Sequence, residues 1–170
     1  MIKYDSTIHS LDDDFDFNKE ETKEIHSLIN RKNDININDI RRITLWKYNR
    51  VLGIDESTIK KLQNIATKEN LDIDSPLVKE LIKGLVSSGG VGYPLASTIL
   101  KFIRPDIFPI IDVRAYRAIE GEKIASHQYN YDLYIDYAKK LKDIADDKGI
   151  PLKEVDEQLY CLDKKLNGKI

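Results

Sequence analysis

Apolar residues along this chain recur at intervals of three and four, and almost nowhere alternate at two, which is the periodicity of helices packed on one face. Ile25, Leu28 and Ile29 place a helix over 19–31, which the polar run NDININD ends. Ile40, Ile43, Leu45 and Trp46 predict a second over 38–52, with Gly53 as its C-cap. Asp55 or Ser57 caps a third, carrying Ile59, Leu62, Ile65 and Ala66. Ser75 at the N-cap and Pro76 at the first helical position open a fourth, with Leu77, Val78, Leu81, Ile82 and Leu85 lining one face. After a cluster of glycines, Leu95, Ala96, Ile99, Leu100 and Ile103 mark a fifth, which Pro105 ends. FPII, 108–111, is a short apolar connector, and Asp112 precedes a short helix over VRAYRAI. Longer helices are expected over 131–148 and 151–166. The fold class that follows is all-α: one compact helical domain over 1–170 with seven or eight helices. Residues 1–18 read as an acidic lead-in whose Phe15 and Phe17 could dock on the body.

At 170 residues the chain is long enough to bury a core without staples. Its apolar runs are too short to span a bilayer, and residues 1–20 hold no sustained apolar stretch, so neither a membrane segment nor a signal peptide is expected. Cys161 is the only cysteine, which excludes an internal disulfide and a four-thiolate metal or iron–sulfur site. A cytoplasmic monomer is the default expectation. The net charge of −2 argues against a general basic coat for nucleic acid. The charge is nevertheless uneven. Residues 79–117 carry Lys79, Lys83, Lys101, Arg104, Arg114 and Arg117 against Glu80, Asp106 and Asp112, and this leaves room for a local basic face.

The glycine cluster, SGGVGYP, sits inside that basic segment. Glycines permit positive φ and let another backbone come close. The helix that starts after Gly92 would present unpartnered N–H groups and the positive end of its dipole, a setting that suits a phosphate. A plain hairpin between two helices explains the same residues. Twenty residues past Gly92 comes Asp112, followed by Arg117, with the small residue Ala96 between. Gly90-Val91-Gly92, Ala96, Asp112 and Arg117, over about 35 residues, resemble the helix–hairpin–helix DNA glycosylase superfamily, the endonuclease III-like fold. Trp46-Lys47-Tyr48-Asn49-Arg50 and Ile111-Asp112-Val113-Arg114 resemble a little-characterised branch of it. Ser88-Gly89 departs from the family's Leu-Pro. Pro94 stands where glycosylase/lyases carry their imine-forming lysine, which excludes lyase chemistry by that residue.

The resemblance implies a double-stranded DNA partner and a monofunctional N-glycosylase of base-excision repair. Cleaving a nucleoside C–N bond builds positive charge on the sugar, and Asp112 would stabilise that charge or orient water. The base would first be flipped from the stack. Gly89, Gly90, Val91, Gly92 and Tyr93 would grip a phosphate, with Lys101, Arg114 and Arg117 as backbone contacts. Trp46, Lys47 and Arg50 would line a base pocket. No cofactor, iron–sulfur cluster or protein-ligated metal is implied, beyond a monovalent cation that hairpin carbonyls could hold. The alternatives are a non-catalytic DNA-binding module that kept the hairpin, and a protein-interaction module in which the hairpin is structural. An enzyme needs a concave pocket with Asp112 at its rim, a DNA binder needs a positive face, and an interaction module needs an exposed apolar patch.

Overall fold

The structure is a computed structural model that describes residues 2–11, 19–47 and 53–169. Among the described residues there are eight α-helices and no strand. The helices are α1 (Lys19–Ile29), α2 (Ile37–Lys47), α3 (Glu56–Thr67), α4 (Pro76–Ser87), α5 (Tyr93–Ile103), α6 (Val113–Glu120), α7 (Tyr131–Lys148) and α8 (Leu152–Asn167). A single 3-10 turn lies at Ser126–Gln128. The all-α reading therefore holds. The calls on Phe15 and Phe17 fall outside the described residues.

Local chemistry fixes the helix starts. Asp55 Oδ1 accepts from the Thr58 N–H at 2.7 Å, Ser75 Oγ from Val78 at 3.4 Å, and Asn130 Oδ1 from Leu133 at 2.9 Å. Each side chain satisfies one of the amides that a helix N-terminus leaves without a partner. The described part of α2 runs to Lys47, the rest of the expected helix over 48–52 lies outside the described residues, and Gly53 does not take the left-handed conformation of a cap. It makes a short antiparallel bridge instead, its N–H donating to Gly89 O at 3.0 Å.

α5 is the central element. Every residue from Leu95 to Ile103 is buried, and the helix packs against α1, α2, α3 and α4. A helix that is apolar nearly all round belongs in the interior. Around it Ile29, Ile40, Ile43, Leu62, Ile65, Leu81 and Leu85 are fully buried. Each such side chain stabilises the fold by roughly 1.5–3 kcal/mol. α3 and α4 cross closely at Gly84, where a Cβ would stand 2.8 Å from Thr58 Oγ1. α6 packs most extensively on α8, and α7 packs on α8 as well. Leu28 and Leu45, on the apolar spacing of α1 and α2, are exposed.

Candidate active site

Between α5 and α6 the chain runs extended through the interior, with Phe108 to Ile111 all buried. This connector has no sheet to satisfy its backbone, so side chains from three helices do so. Tyr134 Oη donates to Pro109 O at 3.1 Å and Tyr137 Oη to Ile110 O at 3.0 Å. The Ile110 N–H donates to Asp156 Oδ2 at 2.9 Å, and the Ile111 N–H to Ser97 Oγ at 3.1 Å. Buried backbone polar groups need such partners, and here the partners also fix where the connector ends. It ends at Asp112.

Asp112 is the N-cap of α6, its Oδ1 accepting from the Arg114 N–H at 2.8 Å. Its Oδ2 lies 3.9 Å from Lys47 Nζ on α2, and both side chains keep about a quarter or less of their surface exposed. Asp112 borders a cavity of about 260 Å³ together with Trp46, Lys47, Ile110, Asp156, Glu157 and Tyr160. That is below the roughly 300–1,000 Å³ of sites for drug-sized ligands and suits one ring system. Trp46 is held edge-on against Phe102 at 5.2 Å, and Phe102 packs on His26 at 4.8 Å. Burial, with the charges of Lys101 and Lys153, pushes the His26 pKa down to about 4, so this ring is neutral at physiological pH.

The inner side of the cavity is ionic. Lys101 on α5 is fully buried, and its Nζ donates to Asp156 at 2.8 and 3.0 Å and to Glu157 at 2.7 Å. Burial opposes the ammonium charge, but the two carboxylates outweigh it and hold the Lys101 pKa above its ordinary value. Burial raises both carboxyl groups above the usual range against the pull of Lys101, and the Asp156 charge raises Glu157 further.

The hairpin lies at the start of α5. Gly90 takes φ +84°, the left-handed region that favours glycine. Val91 folds into the core, and its N–H donates to Ser88 O at 3.1 Å. Gly92 is the N-cap and supplies no side-chain cap, so the first amides of α5 are left for solvent or a ligand. The Tyr93 ring stacks on Tyr129 at 6.5 Å. The carbonyls of Ser88, Gly89 and Gly92 each accept one backbone hydrogen bond and keep a second lone pair.

Three of the cations expected at a DNA backbone are instead committed to the interior. Lys101 sits in the ion cluster above. Arg117 is buried, with Nε and Nη2 on Asp163 at 2.7 and 2.6 Å. Arg114 is largely covered: Nη1 donates to Asp163 and to Gly168 O, and its guanidinium lies over the Tyr160 ring at 5.5 Å. Arg104 is buried as well, donating to Ile65 O and Lys68 O at the end of α3. Of the six cations of segment 79–117, only Lys79 and Lys83 remain exposed, so the charge excess makes no basic face. Desolvated cations need carboxylate partners, and these have them.

Trp46 and Lys47 do come together with Asp112; Arg50 lies outside the described residues. Asp156, Glu157 and Tyr160 were not anticipated. Their signal was present in α8, where Leu152, Val155, Leu159 and Leu162 mark an apolar stripe and Asp156 intrudes on it. A carboxylate on a buried stripe points to a buried partner. Among the described residues, no group of three or more His, Cys, Asp or Glu is placed to hold a metal ion, and no helix is long and apolar enough to cross a membrane. No protein-family model matches the chain, and no curated protein or solved structure is detectably similar to it.

Proposed function

We propose that this chain hydrolyses the N-glycosidic bond of a modified base flipped out of duplex DNA, with Asp112 as the catalytic carboxylate. The observation that carries the reading is that Asp112 caps α6 with one oxygen while it borders the Trp46–Tyr160 cavity. The carboxylate is thus fixed by its own helix and by the clamped connector. A preorganised negative charge of this kind stabilises the sugar cation as it forms. Trp46 and Tyr160 offer aromatic surface to a base. The α5 N-terminus at Gly92 would hold one phosphate, and Lys83, one turn before the hairpin, is the nearest exposed cation on α4.

Duplexes that each carry one modified base test the reading by release of free base. Asp112→Asn keeps a comparable cap, so stability should change by about 1 kcal/mol or less. Base release should fall about 10²–10³-fold. No release by the wild type from any duplex would overturn the proposal. Gly92→Asp tests the hairpin separately. Gly92 has φ −101°, and a Cβ there meets only Pro94 Cδ at 3.8 Å, so the variant should fold with a better cap. Duplex affinity should drop sharply, and unchanged affinity would remove the hairpin from DNA binding. The burial of Lys101, Arg104 and Arg117 favours one rival reading, a non-catalytic module in which the hairpin only reverses the chain.

A further inference from the structure

We propose that Glu157 is the general acid of this site, handing the departing base the proton it needs, while Asp112 at the same cavity stabilises the sugar. This rests on the glycosylase reading and goes on to assign a substrate class: uncharged bases, which must be protonated as they leave.

The argument begins with a count of charges. One ammonium, Lys101, faces two carboxyl groups, Asp156 and Glu157, and all three are buried. If both were ionised, one negative charge would be buried without compensation, and such a charge is removed most cheaply by protonation. Asp156 accepts three hydrogen bonds, two from Lys101 Nζ and one from the Ile110 N–H, all of which favour its ionised form. Among the described residues Glu157 receives Lys101 alone, at Oε1. The proton therefore belongs on Glu157, which lines the cavity beside Asp112. Burial and the Asp156 charge both raise its pKa against the pull of Lys101, and Glu154 on the same helix adds to the rise. The other groups facing it are Lys47 from α2, Asp112 from the start of α6, and Tyr160. His26, behind Phe102 on α1, is neutral.

The step balances. The C1′–N bond breaks and its electron pair goes to the base, which takes the Glu157 proton at a ring nitrogen or carbonyl oxygen. Water adds to C1′ and gives its proton to Asp112. That proton then leaves to solvent, and Glu157 takes one back. An alkylated base that already carries a positive charge departs as a neutral molecule and needs no acid.

The test compares hypoxanthine, uracil and 8-oxoguanine duplexes with one carrying cationic N7-methylguanine, using wild type and Glu157→Gln. The amide keeps an oxygen for Lys101 but has no acidic proton. Wild-type release of the uncharged base should fall as pH rises through the Glu157 pKa, because the acid form is the active one. In Glu157→Gln that alkaline limb should vanish and release should drop about 10²-fold or more. Release of N7-methylguanine should fall far less than release of the uncharged bases, since its departure needs no acid. Equal loss on both kinds of base, or an unchanged alkaline limb, overturns the acid role and leaves the glycosylase reading to stand on Asp112→Asn. No release by wild type overturns both. A carbon-detected NMR titration of the Glu157 carboxyl in the full chain gives a readout without turnover: titration near the ordinary value of about 4.3 refutes the proposal whatever the kinetics.

Discussion

Two ion clusters tie α8 to the rest of the molecule, and they solve opposite problems. In one, Lys101 stands between Asp156 and Glu157, a single cation for two carboxyl groups. In the other, Asp163 stands between Arg114 and Arg117, a single carboxylate for two guanidinium groups. Burial alone would raise the Asp163 pKa, but hydrogen bonds from Arg117, Asn167 and Arg114 bring it below its ordinary value. Asp156 and Glu157 go the other way. Guanidinium groups cannot shed their charge, so the second cluster keeps a fixed charge state and acts as a brace. The first cluster has a spare carboxyl group that can hold a proton, and it is the one that borders the cavity. The same helix thus carries a rigid ionic contact and a titratable one, two turns apart.

The comparison can be broken most forcefully at Asp163. Asp163→Ala leaves two largely desolvated guanidinium groups without their carboxylate and should cost about 3–5 kcal/mol in denaturant unfolding. A loss under about 1 kcal/mol would mean the brace contributes little. The sign with pH is also fixed. A depressed carboxyl pKa contributes stability above the unfolded value, which is lost as pH falls through the folded one. The Asp163 contribution should therefore fade in acid.

Lys101→Met sharpens the contrast with somewhat smaller effect. At neutral pH it should cost about 3 kcal/mol, since two carboxyl groups lose their cation. Carboxyl groups with raised folded pKa values bind protons more tightly in the folded state, so stability falls as pH rises from the unfolded value through the folded one. The deficit of the variant should accordingly shrink in acid, as the Asp163 contribution does, but from a higher pH, because Asp156 and Glu157 take up protons before Asp163 does. Unfolding curves at two pH values decide it. Lys47→Ala should have the least effect, about 0.5 kcal/mol or less, because its 3.9 Å pair with Asp112 is partly solvated. A larger loss would place Lys47 among the structural cations.

These clusters also explain what could be read from the sequence. Helix positions were legible because each rests on neighbouring residues: Ser75 with Pro76 opens α4, and Asp112 opens α6. The glycine hairpin was legible for the same reason. The cavity was legible only in part. Trp46 and Lys47 meet Asp112 through the packing of α2 on α5, and Asp156 and Glu157 arrive from more than 40 residues further along the chain. Local patterns cannot show which carboxylate meets which cation. The cations of segment 79–117 looked like a surface because charge is usually solvated. Lys101 lies within a helix whose other side chains are apolar or small, and that setting is the cue that it is buried.

The connector 108–111 has a consequence in time as well as in space. Its polar groups are closed by Tyr134, Tyr137, Asp156 and Ser97, side chains drawn from three helices. No single helix can fray and release it. The amides of Ile110 and Ile111 should exchange hydrogen only when the whole domain opens, as amides in the middle strand of a sheet do. The segment behaves as a one-stranded sheet, and Asp112 inherits the slowest clock in the molecule.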